Sequence, residues 1–288
     1  MERRHAIISV FDKNGIVEFC ENVSSHFDFI STGKTATLLE ESKIPVTKVS
    51  DFTGYPEILG GRVKTLHPKI MGGILGTKDH KSELEKMNLQ PIGLVVSNLY
   101  PFEQVISQKH DLKDAIENID IGGVTLLRAA AKNYNEVLVV SSPSDYERVA
   151  EAISEQSITK ELRKELAVKA FHHTAKYDIA ISRYLSSEMK WSSSFVMGFD
   201  NPQDLRYGEN LHQDAKYYLN PGSEPFYKQI HGKEVSYNNL VDFTSAIGVL
   251  SEFDDPTCAI IKHTSPCGVA SSQEIESAFD DAFATDNI

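Results

Sequence analysis

Short apolar runs rich in β-branched residues recur along the first half of the chain, and they constrain its fold more than any other feature. They occupy residues 6–10, 27–30, 45–49, 92–97 and 137–140. Helical patterns lie between them: Ile16, Val17, Phe19, Cys20 and Val23 share one face, and residues 36–42 and 122–132 follow the same period. Strands that are continuously apolar and alternate with helices imply a parallel sheet covered on both faces, an α/β architecture. Ser142-Pro143-Ser144-Asp145 reads as the start of another helix, with a capping serine, a first-turn proline and an acid three residues after the cap. Leu162, Leu166, Ala170, Phe171, Tyr177, Ala180, Ile181 and Tyr184 form an apolar stripe at helical spacing that closes this domain near residue 185.

Residues 186–203 break the pattern with serines, an isolated Trp191 and Asn201-Pro202, and read as a linker. Beyond it, 204–218 is polar and aromatic, 241–253 is helical, and 258–262 is a buried-type strand leading into His263-Thr264-Ser265-Pro266-Cys267-Gly268. The expected organisation is a domain at 1–185, a linker at 186–203 and a second, partial region at 204–288. With 288 residues, two domains and ample core are available. The apolar stretch after the N-terminus is too short for a signal peptide, and no run approaches a membrane span. Cys20, Cys258 and Cys267 are odd in number and lack metal-type spacing, so free thiols in a reducing cytoplasm are expected. A net charge of −12 argues against nucleic acid as a partner. An anionic substrate must therefore meet a local cluster of bases, because the global field repels it.

Ligands of open parallel sheets bind outside the carboxyl ends of the strands. The turns after the expected strands carry Ser9 and Lys13, Ser31 to Thr35, and Asn98 to Tyr100. Thr32-Gly33-Lys34-Thr35 opens a helix, where free N–H groups favour a phosphate. A nucleotide-triphosphate loop would need glycine five residues before Gly33, and Asp28 stands there. Gly60-Gly61-Arg62-Val63-Lys64-Thr65-Leu66-His67-Pro68 places two bases, a hydroxyl and an imidazole between glycines and a proline. If extended, it turns Arg62 and Lys64 to one face, suited to an anion; a solvated basic loop is an equal reading. Asp120 precedes a helix start and Lys132 lies near that helix's end, where capping and dipole roles are their ordinary ones.

Taken together, the stretches carry a resemblance. SVFDKNG at 9–15, STGKTA at 31–36, TGYPEILGGRVKTLHP at 53–68, NLYPF at 98–102, DIGGVTLLRAAAKN at 120–133 and KAFHHTAKYD at 169–178 resemble the IMP cyclohydrolase domain of the bifunctional purine-biosynthesis family. LRYGENLHQ at 205–213, SYNNL at 236–240 and KHTSPCG at 262–268 resemble the start of that family's AICAR transformylase. The resemblance implies a methylglyoxal-synthase-like fold for the first domain, and closure of the formylated aminoimidazole carboxamide ribotide to IMP with loss of water. The cyclohydrolase needs no cofactor; the transformylase takes 10-formyltetrahydrofolate as co-substrate.

By that resemblance Ser9, Lys13, Thr32, Gly33, Lys34, Thr35, Arg62, Thr65, Asn98, Ile121 and Gly122 bind the ribotide, and Lys64, Tyr100, Asp120 and Lys132 surround the reacting groups. Lys132 is the expected main proton donor and acceptor, Asp120 positions the amide, and Tyr100 and Lys64 stabilise charge. Lys262 and His263 resemble the pair that assists formyl transfer, and Arg206 and Tyr207 resemble substrate-binding positions. No metal is implied, and a cytoplasmic homodimer is. Lys34 stands where the family often has glycine, Met71 where histidine is common, and Leu211 where proline is frequent. A complete transformylase runs well beyond residue 288, so this chain is expected to lack that activity. Two rivals share the fold: a lyase acting on a triose phosphate, whose catalytic carboxylates fit the DIGG and KTLHP runs poorly, and a regulatory ligand-binding domain like that of carbamoyl phosphate synthetase. The joint presence of Lys64, Tyr100, Asp120 and Lys132 speaks against a purely sensory role.

Overall fold

The computed structural model describes residues 4–189, 196–220 and 223–285. It divides into two compact units, Met1–Val196 and Met197–Ile288. In the first, strands β1 (Arg4–Ser9), β2 (Phe27–Ser31), β3 (Val46–Lys48), β4 (Ile92–Ser97) and β5 (Leu138–Val140) form one sheet in the order β3-β2-β1-β4-β5. Every pairing is parallel; Ile7 stands beside Ile30 on one side and Val95 on the other. All six residues of β4 are buried, so both faces of the sheet are covered, as the continuous apolar runs require.

The covering helices are α1 (Ile16–Val23), α2 (Gly33–Glu41), α3 (Val49–Thr53), α4 (Pro68–Leu75), α5 (Lys81–Lys86), α6 (Phe102–Ser107), α7 (Leu112–Glu117), α8 (Gly122–Lys132), α9 (Tyr146–Ser154) and α10 (Lys160–Met189). Helix α1 packs with α9, while α8 packs with α4 and α10. Fully buried Ile7, Ile8, Leu94, Leu126 and Ala130 lie in the core between them. At about 25 cal/mol per Å² of apolar surface, each of these isoleucines and leucines contributes roughly 1.5–3 kcal/mol on burial.

Helix α10 continues through Ser186 to Met189, and strand β6 (Asp200–Leu205) begins before Gln203, so both ends of the stretch expected as a linker are regular structure. Trp191 lies outside the described residues. In the second unit β6 pairs antiparallel with β7 (Ala215–Leu219), and α11 (Tyr237–Leu250) precedes a hairpin of β8 (Thr257–Lys262) and β9 (Ser265–Ser271), followed by α12 (Ile275–Thr285). Strand β8 is only half-buried, not the buried-type strand its composition suggested. Its neighbour β9 takes up most of the run that follows it, including Pro266 and Gly268. The pairing slips where Ile260 faces Gly268 and Ile261 faces Pro266, and this irregularity accommodates a proline that cannot donate to the ladder.

Candidate active site

Strand order reverses between β1 and β4, where ligands of open α/β sheets bind. Beyond Ser9, which ends β1, the Val10 carbonyl accepts the Thr35 hydroxyl at 3.0 Å and the Lys13 ammonium as well. Thr35 is buried beneath this turn. Asn98, just past β4, ties the crevice shut from the other side. Its Oδ1 accepts the N–H groups of Phe11 and Asp12 at 2.6 and 2.9 Å, and its Nδ2 donates to the Asp12 carbonyl at 3.0 Å. Burial and the charge of Lys34 hold Lys13 below the usual lysine range, against the pull of Asp12.

Helix α2 starts after Thr32, whose side chain does not cap it. The hydroxyl instead donates to Glu57 Oε1 at 2.5 Å, which leaves the first N–H groups of the helix open to an anion. Glu57 Oε2 pairs with Lys64 Nζ at 3.2 Å. The same ammonium stands beside two glycines: a Cβ on Gly33 would come within 3.3 Å of Nζ, and one on Gly61 within 2.8 Å of Lys64 Cε. Both glycines have positive φ, which side-chain-bearing residues rarely adopt. Lys64 is therefore held at the start of α2 by an acid that the sequence reading left without a role. The only signal for it was a carboxylate seven residues ahead of a lysine in a glycine-rich loop.

The Gly60–Pro68 run is not extended. A 3-10 turn at Leu59–Gly61 and an isolated bridge from Ile58 to Val63 fold it back, so Arg62 and Lys64 go to different partners. Arg62 pairs with Glu117, and both side chains are largely exposed. Thr65 is buried, and its hydroxyl lies 3.1 Å from where a Cβ on Gly122 would stand. The loop thereby reaches from the start of α2 to the start of α8.

At that second helix start, Asp120 Oδ1 accepts the Gly123 N–H at 2.7 Å, the capping role its position suggested. Burial pushes the Asp120 carboxyl above the usual carboxylate range, against the N–H groups of Gly123 and Tyr100, which pull it down. The Tyr177 hydroxyl accepts the Asp120 N–H at 2.7 Å and donates to the Asn118 carbonyl at 3.1 Å. Tyr100 itself is 44% exposed and sets its ring edge-on to Phe11, with centroids 5.3 Å apart. Ile121 and Lys34 are exposed at the same edge.

Contacts thus join Lys13, Thr32, Gly33, Thr35, Lys64, Thr65, Asn98, Tyr100, Asp120 and Gly122 along one edge. Lys132 is not among them. It ends α8, roughly 15 Å of helix rise from Gly122. The next residue, Asn133, donates to the carbonyls of Ile74 and Gly76 at the far end of α4.

The second unit holds its candidates in two places. The Arg206 guanidinium lies 4.9 Å from the Tyr207 ring centre, and hydrogen bonds from Ser236 and Arg206 hold the Tyr207 phenol below its usual range. Lys262 ends β8, and His263 and Thr264 form the two-residue turn into β9, both with positive φ. Such a turn ordinarily takes asparagine or glycine. The Thr264 N–H donates to Asp242 Oδ1 at 2.8 Å, which helps to hold the turn and leaves the His263 ring exposed.

Comparison with known proteins bears on both units. The MGS-like domain family matches residues 15–125, and the AICARFT/IMPCHase bienzyme family matches residues 130–288, more than half of the chain. The bifunctional purine biosynthesis protein PurH of Halalkalibacterium halodurans is 46% identical over 99% of this chain, and that of Acetivibrio thermocellus is 45% identical over the same share. In each case the chain spans 58% of the relative's length. The crystal structure of ForH superposes with a TM-score of 0.59 at 30% identity, covering 64% of this chain and 98% of that one. This chain is a member of the AICARFT/IMPCHase bienzyme family, and its five-stranded unit carries that family's MGS-like fold.

Proposed function

We propose that the first unit closes the formylated aminoimidazole carboxamide ribotide to IMP with loss of water. The observation that carries this reading is the loop from Glu57 to Thr65, which brings Lys64 to the open end of α2 and Thr65 to the start of α8. An anion anchored at α2 would then place the rest of the ribotide beside Asp120 and Tyr100. Thr32 to Thr35, Lys13 and Arg62 take the phosphate, where exposed N–H groups and bases favour it; Ser9 and Asn98 shape the turn, and Ile121 and Gly122 the far wall.

In the reaction an amide nitrogen attacks a formyl carbon of the same molecule. The amide is a poor nucleophile, so holding the two groups in line is the first contribution, worth roughly 7–11 kcal/mol in favourable intramolecular cases. Lys64 supplies charge to the developing oxyanion, helped by Tyr100. A proton must then reach the departing hydroxyl. Asp120, with its carboxyl raised by burial, is the candidate for that proton exchange within one chain. Lys132, the residue expected in that role, stands at the other end of α8 and joins the reaction only if a further movement or a second copy brings it in.

The wider reading follows the family. In the family's full-length enzyme, Arg206, Tyr207, Lys262 and His263 of the second unit would serve formyl transfer from 10-formyltetrahydrofolate to AICAR, with His263 as base; this chain is expected to lack a complete transformylase. Ribotide, IMP and folate are the small-molecule partners of a cytoplasmic homodimer. Domain limits at 1–185 and 204–288 belong to the same reading. Thermal unfolding with IMP tests it: bound product should raise Tm by mass action, and Lys64→Ala should lessen the rise. No shift at saturating IMP would remove the ribotide site from this edge.

A further inference from the structure

A second cleft opens at the same sheet edge, on the β5 side of the Phe11–Lys13 turn. It has a volume of about 700 Å³ and is walled by that turn, by Asn98, Leu99 and Pro101, by Ser141 to Asp145 and by one face of α10. Of α10, the cyclisation proposed above involves only Tyr177, whose hydroxyl holds the Asp120 turn. Yet α10 lines the cleft with Lys169, His172, His173 and Lys176, and Lys13 faces them across it. In a chain of net charge −12, three lysines and two histidines gather here against Asp12 and Asp145.

Two of the lining groups are incomplete. Asp145, the acid expected to serve a helix start, is 3% exposed. Its Oδ1 accepts from Lys169 Nζ at 2.7 Å and from Arg148 at 3.0 Å. Its Oδ2 is buried and has no hydrogen-bond partner, and neither has the buried Nε2 of His173. Leaving a buried carboxylate oxygen unpaired is costly, and such groups normally find a donor. Burial and the charge of Lys176 hold the His173 imidazole below its usual range.

A carboxylate only accepts hydrogen bonds, whereas the lysines only donate. A fully ionised anion would be drawn to the lysines and repelled by Asp145. A hydrogen phosphate suits both, because it carries anionic oxygens and one P–OH. We propose that this cleft is a second anion site, distinct from the candidate ribotide site, which takes a hydrogen phosphate. Its P–OH goes to Asp145 Oδ2 and its anionic oxygens to His173 and Lys176. The volume exceeds that of a bare phosphate, which leaves room for the organic group of an acid phosphate ester. The inference goes beyond the cyclisation and does not depend on it.

The test follows the histidine ring signals of the full chain by NMR while inorganic phosphate is added, with His173→Gln assigning the resonance. Sulfate is the control, matched in ionic strength, since it has the same shape and no hydrogen to donate. Phosphate should shift His173 saturably, and sulfate should bind roughly tenfold more weakly, as expected when a buried acceptor is left facing an anion. Asp145→Asn should erase that preference, and Lys176→Ala should weaken phosphate if the asparagine variant does not fold. The shift should persist with IMP present at saturation. Equal binding of sulfate, no saturable shift at millimolar phosphate, or displacement by IMP one for one would each overturn the proposal. If IMP fails to bind while phosphate still shifts His173, the ribotide reading falls and this one stands.

Discussion

Tyr177→Phe removes one oxygen atom and tests how the Asp120 turn is held. The Tyr177 side chain is mostly buried, and its hydroxyl bridges the Asn118 carbonyl and the Asp120 N–H. Burial pushes this phenol up to about 12, so it stays protonated and bridging at any working pH. The phenylalanine ring fills nearly the same space, so packing against Phe102 should survive. What is lost is two hydrogen bonds, at about 0.5–1.5 kcal/mol each, or roughly 1–3 kcal/mol together. For a unit of 150–250 residues that lowers Tm by roughly 2–12 °C. The freed Asp120 backbone should also loosen the carboxyl that it carries, so kcat should fall more than KM rises. Differential scanning calorimetry and steady-state cyclisation on the same preparation measure both. An unchanged Tm together with unchanged kcat would refute the bridge as the support of Asp120.

Three further outcomes follow from the same geometry. Because Asp120 is raised, the folded chain keeps a proton that the unfolded chain has lost; its stability relative to Asp120→Asn should fall as pH rises from the ordinary carboxylate value to the raised one, then level off, as urea unfolding at several pH values would show. A constant difference across that range would contradict the burial argument. Lys34→Gly should move Lys13 back toward its ordinary value, since the Lys34 charge helps to depress it; a lysine NMR titration reads this, and an unmoved Lys13 would exclude the coupling. Cys20, fully buried with its thiol pushed up to about 12, should resist a thiol reagent until the chain unfolds, whereas the half-buried Cys258 and Cys267 should react first; early labelling of Cys20 in a mass-resolved time course would show local opening of α1.

Much of the first unit was legible because its signals are local. Continuous apolar runs located all five strands, and the period of residues 122–132 gave α8 to the residue. The site was legible in membership but not in arrangement. Nothing local says that Glu57 will hold Thr32 and Lys64, or that Arg62 will find Glu117 fifty-five residues away. Those pairs fold the loop back and separate two bases that an extended strand would have set side by side. Asp145 shows the same limit: three residues after a serine it looked like a capping acid, yet Lys169 from α10 and its neighbour Arg148 draw it into a cleft. Lys132 shows how a motif can name a residue without placing it, since eleven residues of helix separate the two ends of that stretch. In the second unit, no local signal assigns the run after Lys262 to an element; a slipped strand pairing takes in its proline and glycine, while the tight turn falls on His263 and Thr264.

The proposed chemistry lies at the edge where α2 and α8 begin. Its most direct test supplies the purified chain with the formylated ribotide alone and follows IMP by absorbance, comparing wild type with Lys64→Ala and Asp120→Asn. Wild type should form IMP, and each folded variant should turn over roughly 10²–10⁴-fold more slowly, the usual span for losing a group that carries charge or a proton in the transition state. Wild-type rates in both variants, or no IMP from a folded wild-type chain, would contradict it.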